Sequence, residues 1–254
     1  MKQLISRISI GLAGASSLLM FLWPLLITTA TQSETQLAQT VFIVLMPVTL
    51  LLILVEFATG DLSSKHLALL GVLIALNAVI RLLGAGTAGI ETAFFLVILG
   101  AYVFGSGFGF ILGAGSIFVS ALLTGGIGPW LPFQMMGAAL IGLGAGLIPH
   151  AKKKWLVKLN LIVYAVIASF AYGALMTLWN WPYLAGAGTQ ISYVAGAPLI
   201  ENLTKFLQYE IVTGGLIWDT GRAITTSVLI LLTGTALIAT LSRAATRAGV
   251  GRKL

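Results

Sequence analysis

Cysteine is absent from this 254-residue chain, which excludes disulfides, thiolate metal sites and a cysteine nucleophile. Histidine occurs only at His66 and His150, too few to lead one to expect a metal site. Charge is scarce as well: 8% of residues are charged and seven are acidic, so cation-coupling carboxylates have few carriers. Hydrophobic residues make up 58% of the chain instead, and the mean hydropathy is +1.03. So much apolar surface cannot be hidden in a water-soluble globule of this length, and the bilayer is the expected solvent. The net charge of +7 does not point to nucleic acid. The basic residues flank hydrophobic runs and form no stripe with interleaved aromatics, which is a topology pattern.

Eight apolar segments are long enough to be read as spans: Ile8 to Ala30, Thr40 to Phe57, His66 to Leu83, Ile90 to Phe104, Phe108 to Thr124, Leu131 to Ile148, Leu159 to Trp181 and Arg222 to Leu241. The first follows Lys2 and Arg7 as a secretory signal would, but it is membrane-spanning in length and is kept as a helix. Threading the eight from an inside N-terminus places eleven of the fourteen basic residues in the cytoplasm, among them Lys152, Lys153 and Lys154. Arg81, Lys205 and Arg222 fall outside. An odd number of spans would break this asymmetry, so both termini are expected in the cytoplasm of a multi-pass plasma-membrane protein, of bacterial type. The expected fold is all-α and polytopic: two additional helices within residues 1–60, a six-helix core within 61–254, and an outer amphipathic segment at about 183–218. Leu199, Leu203, Phe206, Leu207 and Ile211 give that segment its periodicity, Pro198 suits its first turn, and Gly214-Gly215 suits its end.

Several motifs dissolve on inspection. Gly84 to Gly89 satisfies GxGxxG, yet it follows a membrane helix and reads as a turn. No GxxxxGK[ST] loop is present, so ATP coupling would have to come from partners. Asn202-Leu203-Thr204 is a glycosylation sequon by pattern alone, and no nucleophile stands beside a base, which argues against an enzyme. Small residues carry more weight. Gly71, Ala75 and Ala78 share a face of the third span, with Asn77 and Arg81 about 120° away, and Ala138, Gly142 and Gly146 recur at four-residue spacing in the sixth, where internal packing is the favoured reading.

The outer ends of the spans gather the chain's polar and aromatic variety: Asn77, Arg81, Glu91, Trp130, Gln134, Tyr172, Trp179, Asn180, Asp219 and Arg222. A single arginine at a helix end is ordinarily a snorkelling anchor, and Asp219 and Arg222, three apart, could simply pair with each other. Interfacial belt and pocket lining account equally for Trp179 and Trp181, whereas Tyr172 lies deep enough to favour a pocket. Taken together, the group suits outward-facing capture of a small molecule, with no resident cofactor or metal.

From His66 onward the chain resembles the substrate-binding S components of energy-coupling factor transporters. The resemblance is carried by the alanine-rich opening Leu67 to Arg81, by Gly105-Ser-Gly-Phe-Gly-Phe110, and most specifically by Gly125-Gly-Ile-Gly-Pro-Trp-Leu-Pro-Phe-Gln134. It implies a six-helix S component embedded in the bilayer, a vitamin-like substrate near the extracellular face, a transmembrane coupling subunit (T component) and two ATPases. It also implies that Gly71, Ala75 and Ala78 meet the coupling subunit, although glycine at 71 departs from the family's alanine pattern. The two N-terminal spans are a further departure. A corrinoid is one candidate among several vitamins. Two rivals remain at this point: an autonomous secondary transporter, which would need midplane carboxylates or repeated halves, and a noncatalytic scaffold.

Overall fold

The structure, a computed structural model, describes residues 63–84, 90–184 and 189–250, together with scattered positions between 14 and 50. Among the described residues every regular element is a helix: α1 (Ser64–Gly84), α2 (Ala93–Phe104), α3 (Ser106–Thr124), α4 (Leu131–Ala145), α5 (Lys154–Leu184), α6 (Leu199–Val212) and α7 (Gly215–Ala248). The apolar helices α1 to α5 and α7 fall at six of the expected spans. The expected spans Ile8 to Ala30 and Thr40 to Phe57, and the motif after Gly84, lie largely outside the described residues.

Four helices, α1, α3, α5 and α7, are long and apolar enough to cross a membrane. At 1.5 Å per residue, α2 with its 12 residues and α4 with 15 reach only about 18 and 22 Å, short of a hydrocarbon core of about 30 Å. Packing explains how they persist: all of α2 is buried, so its backbone ends meet protein and not lipid. Gly105 links α2 directly to α3 at φ 101°, a conformation that a side chain would strain, and its N–H still bonds to Ala101 O at 2.8 Å. Gly125, at φ 66°, closes α3 in the left-handed region.

The chain divides into two compact units, one comprising Met1–Ile53 with Gly173–Leu216 and the other Leu54–Tyr172 with Ile217–Leu254. In the larger, α3 and α4 pack antiparallel with their backbones in contact. A Cβ on Gly113 would strike Ala138 O, one on Gly109 would strike Gly142 O, and one on Gly146 would strike Ser106 N. The spacing of Ala138, Gly142 and Gly146 is therefore one side of an internal seam, whose other side is Gly109 and Gly113.

The smaller unit is centred on Trp181, which is fully buried against Leu178 and Phe206. Its indole N–H donates to Ile191 O at 2.9 Å, and its ring meets Tyr193 and Phe206 edge-on. Neither belt nor pocket describes this residue: the segment 189–198 and α6 fold over it and make it core. Asn202 holds that segment by accepting from Val194 N–H and donating to Val194 O at 3.0 and 2.9 Å, so the sequon asparagine is a buried clasp.

The orientation of α6 sorts its residues by burial. Phe206 turns inward with Asn202 and Glu210, but Leu199, Leu207 and Ile211 are exposed, as are Ile200 and Val212. At 100° per residue the helix has three faces, with Asn202, Phe206 and Glu210 on the protein, Glu201, Lys205 and Gln208 polar, and Ile200, Leu207 and Ile211 apolar and open.

Candidate functional site

The polar residues at one end of the larger unit form two guanidinium–carboxylate pairs. Arg81, in the last turn of α1, donates through Nη1 to Ser120 Oγ of α3 at 3.0 Å, and its Nε lies 3.7 Å from Glu91 Oε2. The other oxygen of Glu91 accepts from Ala93 N–H at 3.2 Å, tying the carboxylate to the start of α2, where the helix dipole favours it. Arg222, near the start of α7, donates through Nη1 to Asp219 Oδ1 at 2.6 Å and to Ser169 O of α5 at 3.1 Å. The pairing of Asp219 with Arg222 that their three-residue spacing allowed is therefore formed, and it is more buried than the pair at Arg81.

Aromatic rings lie beside Arg222. The Arg222 guanidinium carbon sits 4.9 Å from the Tyr172 ring centroid and 5.8 Å from that of Phe94, and the two rings meet edge-on at 4.8 Å.

Each guanidinium retains donor capacity. Arginine has five N–H groups, and the Nε of both Arg81 and Arg222 is buried without a hydrogen bond. Four more buried groups without partners lie at or one helical turn along from these contacts. On α1, Asn77 is four residues before Arg81, and on α3 Ser116 is four residues before Ser120. On α7, Thr226 is four residues after Arg222, while Ser169 offers its own hydroxyl beside the carbonyl already used. None of the four is exposed, and neither amide atom of Asn77 is bonded. Burying an amide unsatisfied costs about 1–3 kcal/mol, so these groups carry unmet hydrogen-bonding capacity.

Residues 65–239 match the family described as ECF transporter, substrate-specific component. The chain belongs to that family. No curated protein and no solved structure matches it. The matched region begins at the first turn of α1 and ends within α7, so it contains both ion pairs, Tyr172 and the unpartnered layer of this substrate-specific component.

The structure joins Arg81 to Glu91, and Arg222 to Asp219 and Tyr172, with Asn77 one helical turn before Arg81 on α1. Trp130 and Gln134 occupy the opening of α4 in the same unit, with Trp130 over Gly128 and 43% exposed, but neither meets the arginine pairs through a hydrogen bond or ring contact. Trp179 and Asn180 belong to the smaller unit. On α1, Gly71 and Ala75 lie on an open face, and a Cβ on Gly71 would meet nothing within 4 Å. Ala78 departs from that stripe: it lies about 80° from Leu70, the middle of the buried face, against about 100° and 140° for Gly71 and Ala75, and it is fully buried.

Phe94, Ser116, Ser120 and Thr226 were not among the expected site residues. The four-residue spacing of Ser116 and Ser120, and of Arg222 and Thr226, was the available signal for three of them. Nothing in the sequence marks Phe94 among its apolar neighbours.

Proposed function

We propose that this substrate-specific component captures a vitamin or related cofactor precursor at the extracellular face, and that a coupling subunit and two ATPases drive its uptake. One observation carries the reading. Two arginines with unused buried donors, one of them over an aromatic pair, stand beside polar side chains that have no partner among the described residues.

Charge narrows the ligand. Glu91 and Asp219 already balance Arg81 and Arg222, so the cluster is formally neutral, and a polyanion would bring uncompensated charge into a low-dielectric site. The arrangement favours an uncharged or zwitterionic molecule with carbonyl, amide or hydroxyl groups and a ring. Its acceptors meet the arginine Nε groups, its ring packs on Tyr172, and a polar end reaches the Asn77 amide. Trp130 and Gln134, at the opening of α4, are assigned to the approach on this reading.

The open face of Gly71 and Ala75 is assigned to the coupling subunit, since small residues let helix backbones approach closely. The six-helix core at 61–254, the two extra helices at 1–60 and the cytoplasmic termini complete the proposal. The decisive experiment is mass spectrometry of small molecules retained by the purified protein, followed by titration of the identified molecule. Retention of a vitamin-like compound that Arg81→Ala releases is the expected result. Uptake by liposomes holding this chain alone would instead establish a self-sufficient transporter.

A further inference from the structure

At the far end of the larger unit from the arginine pairs, α5 and α7 border two clefts that share two lysines. The first, about 350 Å³, is lined by Tyr102, His150, Val157, Leu161, Ile230 and Ile238 among others. The second, about 620 Å³ and more open, runs along Trp155, Leu159, Ile162 and Leu231. Lys154, Lys158 and Thr235 line both. Each cleft is mostly hydrocarbon, and the cations stand where the two meet.

Those cations have no carboxylate. The ion pairs among the described residues are Arg81–Glu91, Lys205–Glu201 and Arg222–Asp219, and none involves Lys154 or Lys158. Lys158 Nζ donates to Leu231 O at 3.1 Å, which fixes the ammonium against α7 and leaves two of its three donors for another acceptor. His150 is held in the first cleft by a 3.1 Å hydrogen bond to Tyr102 O and an edge-on contact with the Tyr102 ring. Around the mouth, Trp155, Leu159, Leu231 and Leu232 are exposed, a surface that only hydrocarbon covers well.

We propose that the two clefts hold one anionic diacyl phospholipid, its phosphate on Lys154 and Lys158 and one acyl chain in each cleft. Charge complementarity selects an anion, because basic pockets between membrane helices attract acidic headgroups. The paired geometry selects a lipid over a free anion: an inorganic phosphate would use the lysines and leave both apolar channels unexplained, whereas a two-chain lipid fills both and sets its headgroup between them. The neighbouring Lys152 and Lys153, both exposed, add to the attraction at the membrane surface. The inference stands apart from the identity of the transported solute.

The test is native mass spectrometry of the full chain, purified in detergent and exposed to equal concentrations of phosphatidylglycerol and phosphatidylcholine. One retained phosphatidylglycerol per protein is expected, at least tenfold above phosphatidylcholine. Lys154→Gln with Lys158→Gln should abolish that preference. Thr235→Trp, placed at an exposed position common to both clefts, should lower retention with the lysines intact, and an unchanged melting temperature in detergent alone would show that it is folded. Equal retention of the two lipids, undiminished phosphatidylglycerol on the double lysine variant, or the same thermal stabilisation from inorganic phosphate as from the lipid would overturn the proposal.

Discussion

Arg81 and Arg222 carry the same charge but differ in what their removal exposes. Arg81 pairs loosely with Glu91 in a partly exposed setting, so Arg81→Ala should leave a folded protein and weaken ligand binding. Losing a hydrogen bond to a charged group is worth about 1.5–3 kcal/mol, or roughly a 10- to 100-fold rise in Kd by calorimetric titration. Unchanged affinity would remove Arg81 from the site. Arg222→Ala is harsher, because it strips the buried Asp219 of its close cation. We expect a loss of about 3–5 kcal/mol in unfolding free energy, partly restored by adding Asp219→Asn, which takes away the stranded charge. Asn77 separates stability from function. Its amide is buried and unpartnered, so Asn77→Leu should stabilise the ligand-free protein while weakening binding. A melting temperature that falls together with affinity would show that Asn77 serves packing alone.

Helices supply the geometry that makes these side chains converge, and the α3–α4 seam is the most constrained contact among them. Gly142 faces the backbone of Gly109 so closely that a methyl group has no room. Alanine gains about 1 kcal/mol in helix propensity over glycine, but overpacking against a rigid backbone costs about 1–3 kcal/mol. Gly142→Ala should therefore destabilise the protein in denaturant titrations, and Gly142→Leu more strongly; a neutral Gly142→Leu would show that the seam yields. Gly71 offers the contrast. A side chain there meets open space, so Gly71→Leu should leave folding and ligand binding unchanged while reducing co-purification with a coupling subunit. Four-residue spacing made the α4 side of the seam legible, but the helical spacing of Gly71, Ala75 and Ala78 on α1 did not reveal that Ala78 is buried. A periodicity reports which residues share a face and is silent about how much of that face a neighbour covers. The faces of α6 were hidden for a related reason, since buried and exposed apolar residues look alike in sequence.

At the level of the entire chain, the distribution of lysine and arginine predicts opposite sidedness for the two ends of α4. The protein has no native cysteine, so a single introduced thiol reports one position without background. Trp130→Cys in intact cells should react with a membrane-impermeant maleimide, and Lys153→Cys only after the membrane is opened. Reaction of both from one side would refute the proposed topology and, with it, capture at the extracellular face.

Composition and hydropathy sufficed to establish a polytopic helical membrane protein, and three small-residue-rich stretches, Gly125 to Gln134 most specifically, carried the resemblance to its family. Both depend on local quantities: the free energy of moving each segment into lipid, and the backbone conformations that a short stretch permits. Folding decided which arginine holds which carboxylate, that Phe94 and Tyr172 lie beside Arg222, that Trp181 is core, and that two lysines separate a pair of apolar clefts. Those relations join residues tens of positions apart through helix packing, and in a chain this uniformly apolar the spacing of hydrophobic residues cannot say which face meets lipid and which meets protein.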